Sequence, residues 1–223
     1  MRCIHVSIAS GRVNGSASRR KMNRSTKETG RGMSVRKITG LALFTAIVVV
    51  LQLVGSFIKF GTFSVSLVLV PIVVGAALYG PLAGAWLGFV FGLVVLLSGD
   101  ASPFMVVNPL GTIVTVLLKG GLAGYLAGLV YRALVKKVKP WMAVVAAAVV
   151  CPVVNTGVFF LGCQLFFMDT INGWAQAIGF ESAGKYIIFG MIGANFLFEL
   201  LFNVVLSPII SRIIRIRKKT DDE

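Results

Sequence analysis

The sequence predicts an all-α membrane protein that crosses the bilayer six times. Of its 223 residues, 57% are hydrophobic and only 13% are charged, whereas a soluble domain of this length has about 25% charged residues. The apolar residues form runs that approach the ~20 residues needed to cross the hydrocarbon core of a bilayer. The basic residues lie in clusters between and beside these runs rather than evenly along the chain. These observations predict a polytopic helical bundle in a lipid bilayer.

The apolar runs define the individual spans. The six predicted spans are 38–57, 64–79, 81–97, 105–131, 141–167 and 184–211. The second is short for a helix that crosses a membrane. The fifth contains Pro152, which perturbs a helix and frees a backbone carbonyl for other partners.

The basic clusters predict the orientation of the spans. Of the 22 Lys and Arg residues, ten lie in 1–37, four in 132–139 and five in 212–219. With six spans, these three segments share one face of the membrane, and an excess of Lys and Arg is typical of the cytoplasmic face. We therefore expect both termini inside the cell. Aromatic residues for base stacking are absent from 1–37, which disfavours a nucleic-acid-binding tail.

The first 32 residues differ from the rest of the chain. They are polar and lack the apolar segment of a secretory signal, and Met33 opens a sequence that suits the start of a membrane protein. We expect translation to begin at Met33, with 1–32 a non-native or disordered extension, and the intact mass of the native protein tests this. The predicted membrane domain is 33–219, and 220–223 form an acidic tail.

Spans three and four share a glycine pattern. Residues 80–88 read GPLAGAWLG and residues 120–128 read GGLAGYLAG, so both match G-x-L-A-G-x-x-x-G. Small residues four apart allow two membrane helices to approach closely. The pattern predicts tight helix packing in preference to an inverted repeat of the kind found in secondary transporters.

Two ionisable residues lie deep inside predicted spans, Lys119 in span four and Glu199 in span six. Each is about fourteen residues from the start of its span, or about 21 Å along the helix. A charge at that depth is strongly destabilised unless it is paired. We predict an ion pair between Lys119 and Glu199 that holds the two spans together, with direct contact to a polar ligand as the alternative.

Uncharged polar residues concentrate in spans four to six and predict a small-molecule pocket between them. Hydrogen bonds between helices could explain any one amide, but the concentration favours a binding site. Phe104, Phe159 and Tyr186 could line it, and Lys59 or Lys185 could supply a cation. The amides are Asn108, Asn155, Gln164 and Asn195. This mixture suits pantothenate, pyridoxine, riboflavin or a pyrimidine precursor about equally, and favours a ligand with an anionic or hydroxyl group.

Several classes of function are disfavoured by missing residues. His5 is the single histidine and lies in the extension, which disfavours metal centres, other cofactors and histidine-based catalysis. The sequence has neither the Gly-x-Ser-Gly of a rhomboid protease nor a second Asn-Pro-Ala-like loop of an aquaporin, and no aspartate inside a span for a phospholipid-synthesising enzyme. We expect a protein that is not an enzyme. A small proton-coupled transporter that uses Lys119 and Glu199 is the main alternative function.

The chain resembles the substrate-binding S components of energy-coupling factor (ECF) vitamin transporters over about residues 33–219. Span one carries ALFTA at 42–46, which matches the Ala-x-x-x-Ala motif of these proteins. The segment PIVVGAALYGPLAGAWLGFVFGLV, NPLG at 108–111 and FELLFNVVLSPII at 198–210 are also similar to the family.

The resemblance implies a function and a set of partners. An S component captures a water-soluble vitamin or precursor outside a bacterial cell. It then associates with a shared membrane subunit and two ATPases, and topples in the cytoplasmic membrane to release its cargo. Ala42 and Ala46 would form the docking face for the membrane subunit. The pocket would be capped by the 58–64 and 98–104 loops, which contain Lys59, Phe60 and Phe104. The chain has no phosphate-binding G-x-x-x-x-G-K-[ST] loop of its own.

Overall fold

The structure is a computed structural model that describes residues 35–57, 59–60, 63–64 and 67–222. Residues Lys37–Glu223 form one compact unit. The predicted extension 1–32 lies outside the described residues. The side chains of Lys59 and Phe60 and those of 217–222 are also outside the description, although their backbone is assigned.

The described part of the chain is helical apart from one small hairpin, which confirms the all-α class. The helices, in chain order, are α1 (Val35–Phe57), α2 (Leu69–Tyr79), α3 (Pro81–Leu97), α4 (Ser102–Met105), α5 (Pro109–Leu134), α6 (Pro140–Phe166), α7 (Met168–Ala177), α8 (Ala183–Lys185), a π-helical segment (Tyr186–Ile192) and α9 (Gly193–Asp222). Strands β1 (Lys59–Phe60) and β2 (Phe63–Ser64) pair antiparallel.

Four of these helices are long and apolar enough to cross a membrane. They are the helices of predicted spans one, four, five and six. The helices of spans two and three, α2 and α3, are apolar but shorter. The chain is therefore a multi-pass membrane protein, while the count of six spans and the inward orientation of both termini stay predictions.

Short local signals set the helix boundaries. Gly80 adopts a φ of 102°, a conformation that favours glycine, and Pro81 then opens α3 at a position where its missing N–H is not needed. The side chain of Asn108 accepts a hydrogen bond of 2.9 Å from the Gly111 N–H, and Pro109 follows it. Predicted span four therefore begins at this cap, and residues 102–105 form the separate short helix α4.

Helices α3 and α5 make the most extensive helix contact in the described part of the bundle. A Cβ added to Gly84 would overlap the backbone carbonyl of Gly124, and one added to Gly88 would overlap that of Gly120. The two backbones therefore touch along the shared glycine pattern, and the predicted close packing is confirmed.

Helix α1 is attached more sparsely than the other long helices. Only 17% of its membrane-length window is buried, against 28–39% for the other three. Its contacts are specific: Trp86 Nε1 donates a hydrogen bond of 3.2 Å to Thr45 Oγ1, and the rings of Phe44 and Tyr79 meet edge to face. The apolar outer side of α1 is left to lipid or to a partner protein.

Two hydrophobic cores hold the bundle together. The larger contains residues of α2, α3, α5, α6 and α9, such as Ile72, Leu87 and Ala147. The smaller surrounds Phe167 and Ile171, and includes α7 and the π-helical segment. A cavity opens where these two cores meet, because residues from both contribute to its wall.

Candidate substrate-binding site

The cavity contains about 790 Å³ of space between its lining atoms, a volume that includes open solvent at its mouth. Its wall combines aromatic rings, aliphatic side chains and hydrogen-bonding groups. The lining residues are Gln52, Phe91, Val95, Asp100, Ala101, Phe104, Thr112, Thr115, Val116, Lys119, Asn155, Thr156, Phe159, Phe167, Met191, Ile192, Asn195 and Glu199. This mixture can enclose an apolar ring and orient it through a few polar contacts.

Glu199 is a buried carboxylate in this wall, with 1% of its surface exposed. Asn195 Nδ2 donates a hydrogen bond of 3.0 Å to Oε1 of Glu199, and Asn155 Nδ2 donates one of 3.4 Å to Oε2. Each carboxylate oxygen thus has its own amide, one from α9 and one from α6. Such hydrogen bonds stabilise a buried charge and fix its orientation.

A second acid–amide pair lines the same cavity. Gln52 Nε2 of α1 donates a hydrogen bond of 2.9 Å to Oδ2 of Asp100, and the Ser98 hydroxyl donates one of 3.2 Å to the same oxygen. Gln52 is 1% exposed. This pair links α1 to the segment that follows α3, so the sparsely packed first helix supplies part of the cavity wall.

Lys119 places the positive charge of the cavity between two aromatic rings. Its Nζ lies 5.0 Å from the centroid of Phe159 and 5.8 Å from that of Phe91, distances at which a cation is attracted to the ring face. Lys119 shares the lining of this cavity with the two acids, Glu199 and Asp100. The direct ion pair between Lys119 and Glu199 stays a prediction, and the structure places both residues on one cavity.

Phe104 joins the cavity to an aromatic cluster. Its ring meets those of Phe159, Phe167 and Trp174 edge to face, with centroids 5.0–5.7 Å apart. The short helix α4 carries Phe104 and follows directly after Asp100, so one segment supplies both a ring and a carboxylate to the wall.

The π-helical segment Tyr186–Ile192 brings two further side chains to the cavity, Met191 and Ile192. A π-helix is wider than an α-helix and shifts the register of the residues that follow it. Here α9 follows without a break. The π-helical turn thus precedes Asn195 and Glu199 and influences which face of α9 they occupy.

The structure brings together part of the predicted site. Phe104, Asn155, Phe159 and Asn195 line the cavity together with the predicted pair Lys119 and Glu199. Gln164 is exposed on α6, and the predicted ligands Lys59 and Phe60 lie outside the described side chains.

Three other predicted ligands are placed elsewhere among the described residues. Asn108 caps α5, the exposed Lys185 pairs with Glu181, and Tyr186 is buried against Phe180. The two docking candidates, Ala42 and Ala46, are exposed on α1.

Sequence reasoning did not assign Gln52, Thr112, Thr115, Thr156 or Met191 to the site. Gln52 could have been found, because an isolated amide in an apolar span needs a polar partner. The three threonines give a weaker signal, since a helix threonine can bond to its own backbone, as Thr112 does to the Asn108 carbonyl at 2.8 Å.

The fold and the cavity define a class: a multi-pass helical membrane protein with a cavity lined by aromatic, aliphatic and polar side chains. A comparison with known protein families makes this specific. The family model for the substrate-specific component of ECF transporters matches residues 36–211, and the chain belongs to that family. It is therefore a transporter subunit that binds substrate and not an enzyme. A search among curated proteins gave no match.

Proposed function

We propose that this chain is the high-affinity capture subunit for uptake of a water-soluble vitamin or vitamin precursor. It works with a shared energising membrane subunit and two ATPases, as its family membership implies. The cavity carries the proposal, because it combines four phenylalanine rings with two acid–amide pairs and a lysine inside a membrane bundle. The proposed binding residues in the described part are Phe104, Asn155, Phe159 and Asn195, with Lys119 and Glu199.

The proposed docking face for the membrane subunit is the exposed side of α1 around Ala42 and Ala46. Both residues are small and exposed, and they lie one helical turn apart. Large apolar residues such as Leu43 and Val50 are exposed beside them. A smooth apolar strip on a sparsely packed helix suits close contact with another membrane helix.

The proposed location is the cytoplasmic membrane of a bacterium, with both termini inside. The support is the placement of the basic residues, since 1–37, 132–139 and 212–219 fall on one side if there are six spans. Labelling of single cysteines introduced at 136 and at 100 from outside intact cells tests the orientation. We expect labelling at 100 only.

Binding and transport assays test the function. The purified full-length chain is expected to bind a vitamin-like compound at one molecule per chain and to hydrolyse no ATP. Uptake into cells is expected only when the energising subunit and the ATPases are expressed with it. Binding of no such compound would contradict the proposal.

A proton-coupled secondary transporter is the second candidate function. The observation that favours it is the joint placement of two ionisable residues, Lys119 and Glu199, on one cavity inside the bundle. The chain reconstituted alone in vesicles separates the two functions. Accumulation of substrate driven by a proton gradient without ATPases would support the secondary transporter.

A further inference from the structure

The two acid–amide pairs of the cavity fix the orientation of their amides. A carboxylate can only accept hydrogen bonds, so the NH₂ group of each amide must face it. Gln52 gives its NH₂ to Asp100 and Asn155 gives its NH₂ to Glu199. The carbonyl oxygens of both amides are therefore turned to other surroundings.

Those two carbonyl oxygens have no partner in the described part of the protein. Oε1 of Gln52 and Oδ1 of Asn155 are buried and accept no hydrogen bond there, and their side chains are 1% and 5% exposed. Both side chains line the cavity. A buried acceptor without a donor is destabilising, so this wall favours a ligand that supplies hydrogen-bond donors.

The charged groups of the wall also affect which ligands the cavity favours. The lining residues include two carboxylates, Asp100 and Glu199, and one ammonium, Lys119. The formal charge of the wall is thus negative by one unit. Lys119 already lies against two aromatic rings and shares the wall with both carboxylates. An incoming anion would therefore meet two acids and one cation in a site of low dielectric.

We infer that this cavity selects a ring-containing ligand that donates hydrogen bonds and carries no net negative charge, such as an amine-bearing or amino-substituted nitrogen heterocycle. The donors of the ligand would bond to Gln52 Oε1 and Asn155 Oδ1, and its ring would lie among the phenylalanines. This inference rests on the proposed function and narrows it, because the sequence alone favoured an anionic or hydroxyl-bearing ligand.

A competition among matched probes tests the inference. The purified full-length chain is incubated with an equimolar mixture of thiamine, pyridoxamine, nicotinamide, riboflavin, 4-pyridoxate, nicotinate and pantothenate. Unbound compounds are removed, and the retained ones are released and identified by mass spectrometry. Pyridoxamine and 4-pyridoxate share a ring and differ in charge, as do nicotinamide and nicotinate, so they are matched pairs.

We expect the retained compound to come from the first four probes, and the cationic or neutral member of a matched pair to bind more tightly than the anionic one. Retention of an anionic probe in preference would overturn the inference and leave the proposed function standing. Retention of no probe would overturn the proposed function and the inference with it.

Two variants connect the selectivity to the named atoms. Asn155→Leu removes one acceptor and one amide partner of Glu199, and is expected to weaken binding of the retained probe by about ten- to hundredfold. Asn203→Leu is the control, because Asn203 is a buried amide of α9 whose NH₂ bonds to the Glu199 backbone carbonyl, at 2.8 Å, and it is not among the described lining residues. Equal losses in both variants would contradict a direct role for Asn155.

Asp100→Asn keeps the shape of the half-buried Asp100 side chain and removes its charge, so it remains informative if Asn155→Leu fails to fold. It is expected to reduce the preference for pyridoxamine over 4-pyridoxate by about tenfold. An unchanged preference between these two probes would overturn the electrostatic part of the inference.

Discussion

The two halves of helix α5 use the same secondary structure in opposite ways. The first half, 109–119, places Thr112, Thr115, Val116 and Lys119 on the cavity. The second half, 120–134, presents glycines to α3 at backbone contact. The side chains of the first half face a space that remains for a ligand, although α3 still approaches the α5 backbone there, at Gly92. In the second half, the glycines let the backbones of α3 and α5 touch.

This contrast shows how the bundle can be rigid and still enclose a cavity. Without a hydrophobic driving force between helices in lipid, close packing of small residues is a main source of helix association. The glycine half supplies that packing. The polar half can then retain buried hydrogen-bonding groups that are not all paired with protein.

The largest loss of stability is expected from substitutions at the glycines in the second half of α5, residues 120–134. Gly124→Ala puts a Cβ into the backbone carbonyl of Gly84 and should destabilise the purified protein by about 1–3 kcal/mol or more. Thermal unfolding in detergent measures this. Gly121→Ala is the matched control, because the nearest atom that its Cβ would meet is 3.9 Å away, and it should be neutral or stabilising. Equal destabilisation by both would show that the glycine contact is unimportant.

Filling the cavity should remove binding and leave the fold intact. Thr156→Trp introduces a large ring from a half-buried cavity position of α6, and we expect it to reduce ligand affinity at least about a hundredfold. Leu161→Trp makes the same change at a side chain that is 59% exposed on the same helix, and should bind normally. Titration of both variants with the retained ligand measures the difference, and normal binding by Thr156→Trp would refute the cavity as the site.

Coupling between Lys119 and Glu199 should give a smaller effect. Lys119→Met leaves the two acids of the wall without their cation, and Glu199→Gln removes one of the two acids that share the cavity with Lys119. Each single variant should therefore lose stability, and the loss in the double variant should be smaller than the sum of the two single losses. We expect a coupling free energy of about 0.5–3 kcal/mol in a double-mutant cycle of thermal or denaturant unfolding. Strictly additive changes would dismiss the predicted pair.

The smallest effect on the purified protein is expected at the proposed docking face. Ala42→Leu with Ala46→Leu enlarges two exposed side chains and should change stability by within about 0.5 kcal/mol and binding not at all. Uptake by cells that contain the whole transporter should nevertheless be lost, because the membrane subunit can no longer approach α1. Leu118→Phe, at an exposed position of α5, is the control and should leave uptake intact. Equal loss of binding and of uptake in the variant with Ala42→Leu and Ala46→Leu would exclude a docking role.

Much of the fold could be predicted from the sequence because the membrane leaves few choices. The helix of span three coincides with 81–97 and that of span five differs from 141–167 by one residue at each end, since Pro81 and Pro140 mark clear starts. The separate helix α4 was missed, because the cap at Asn108 interrupts a run that is apolar on both sides. The π-helical turn also has no simple sequence signal.

The candidate site was harder to predict, because distant segments build it. Equal depth in two spans predicted an ion pair between Lys119 and Glu199; the pair stays a prediction, and both residues line one cavity. The concentration of polar residues and the need for a cation led to Asn108 and Lys185; in the structure Asn108 caps a helix and Lys185 pairs with Glu181, and neither is among the described lining residues. Gln52 was overlooked because its partner, Asp100, lies in a loop 48 residues away.

A structure of the ligand-loaded protein tests the central claim most directly. We predict that density for one small molecule fills the cavity between α5, α6 and α9, with its ring beside Phe104 and Phe159 and its donors toward Gln52 and Asn155. Density for the bound molecule at any other place, with this cavity still empty, would contradict the account.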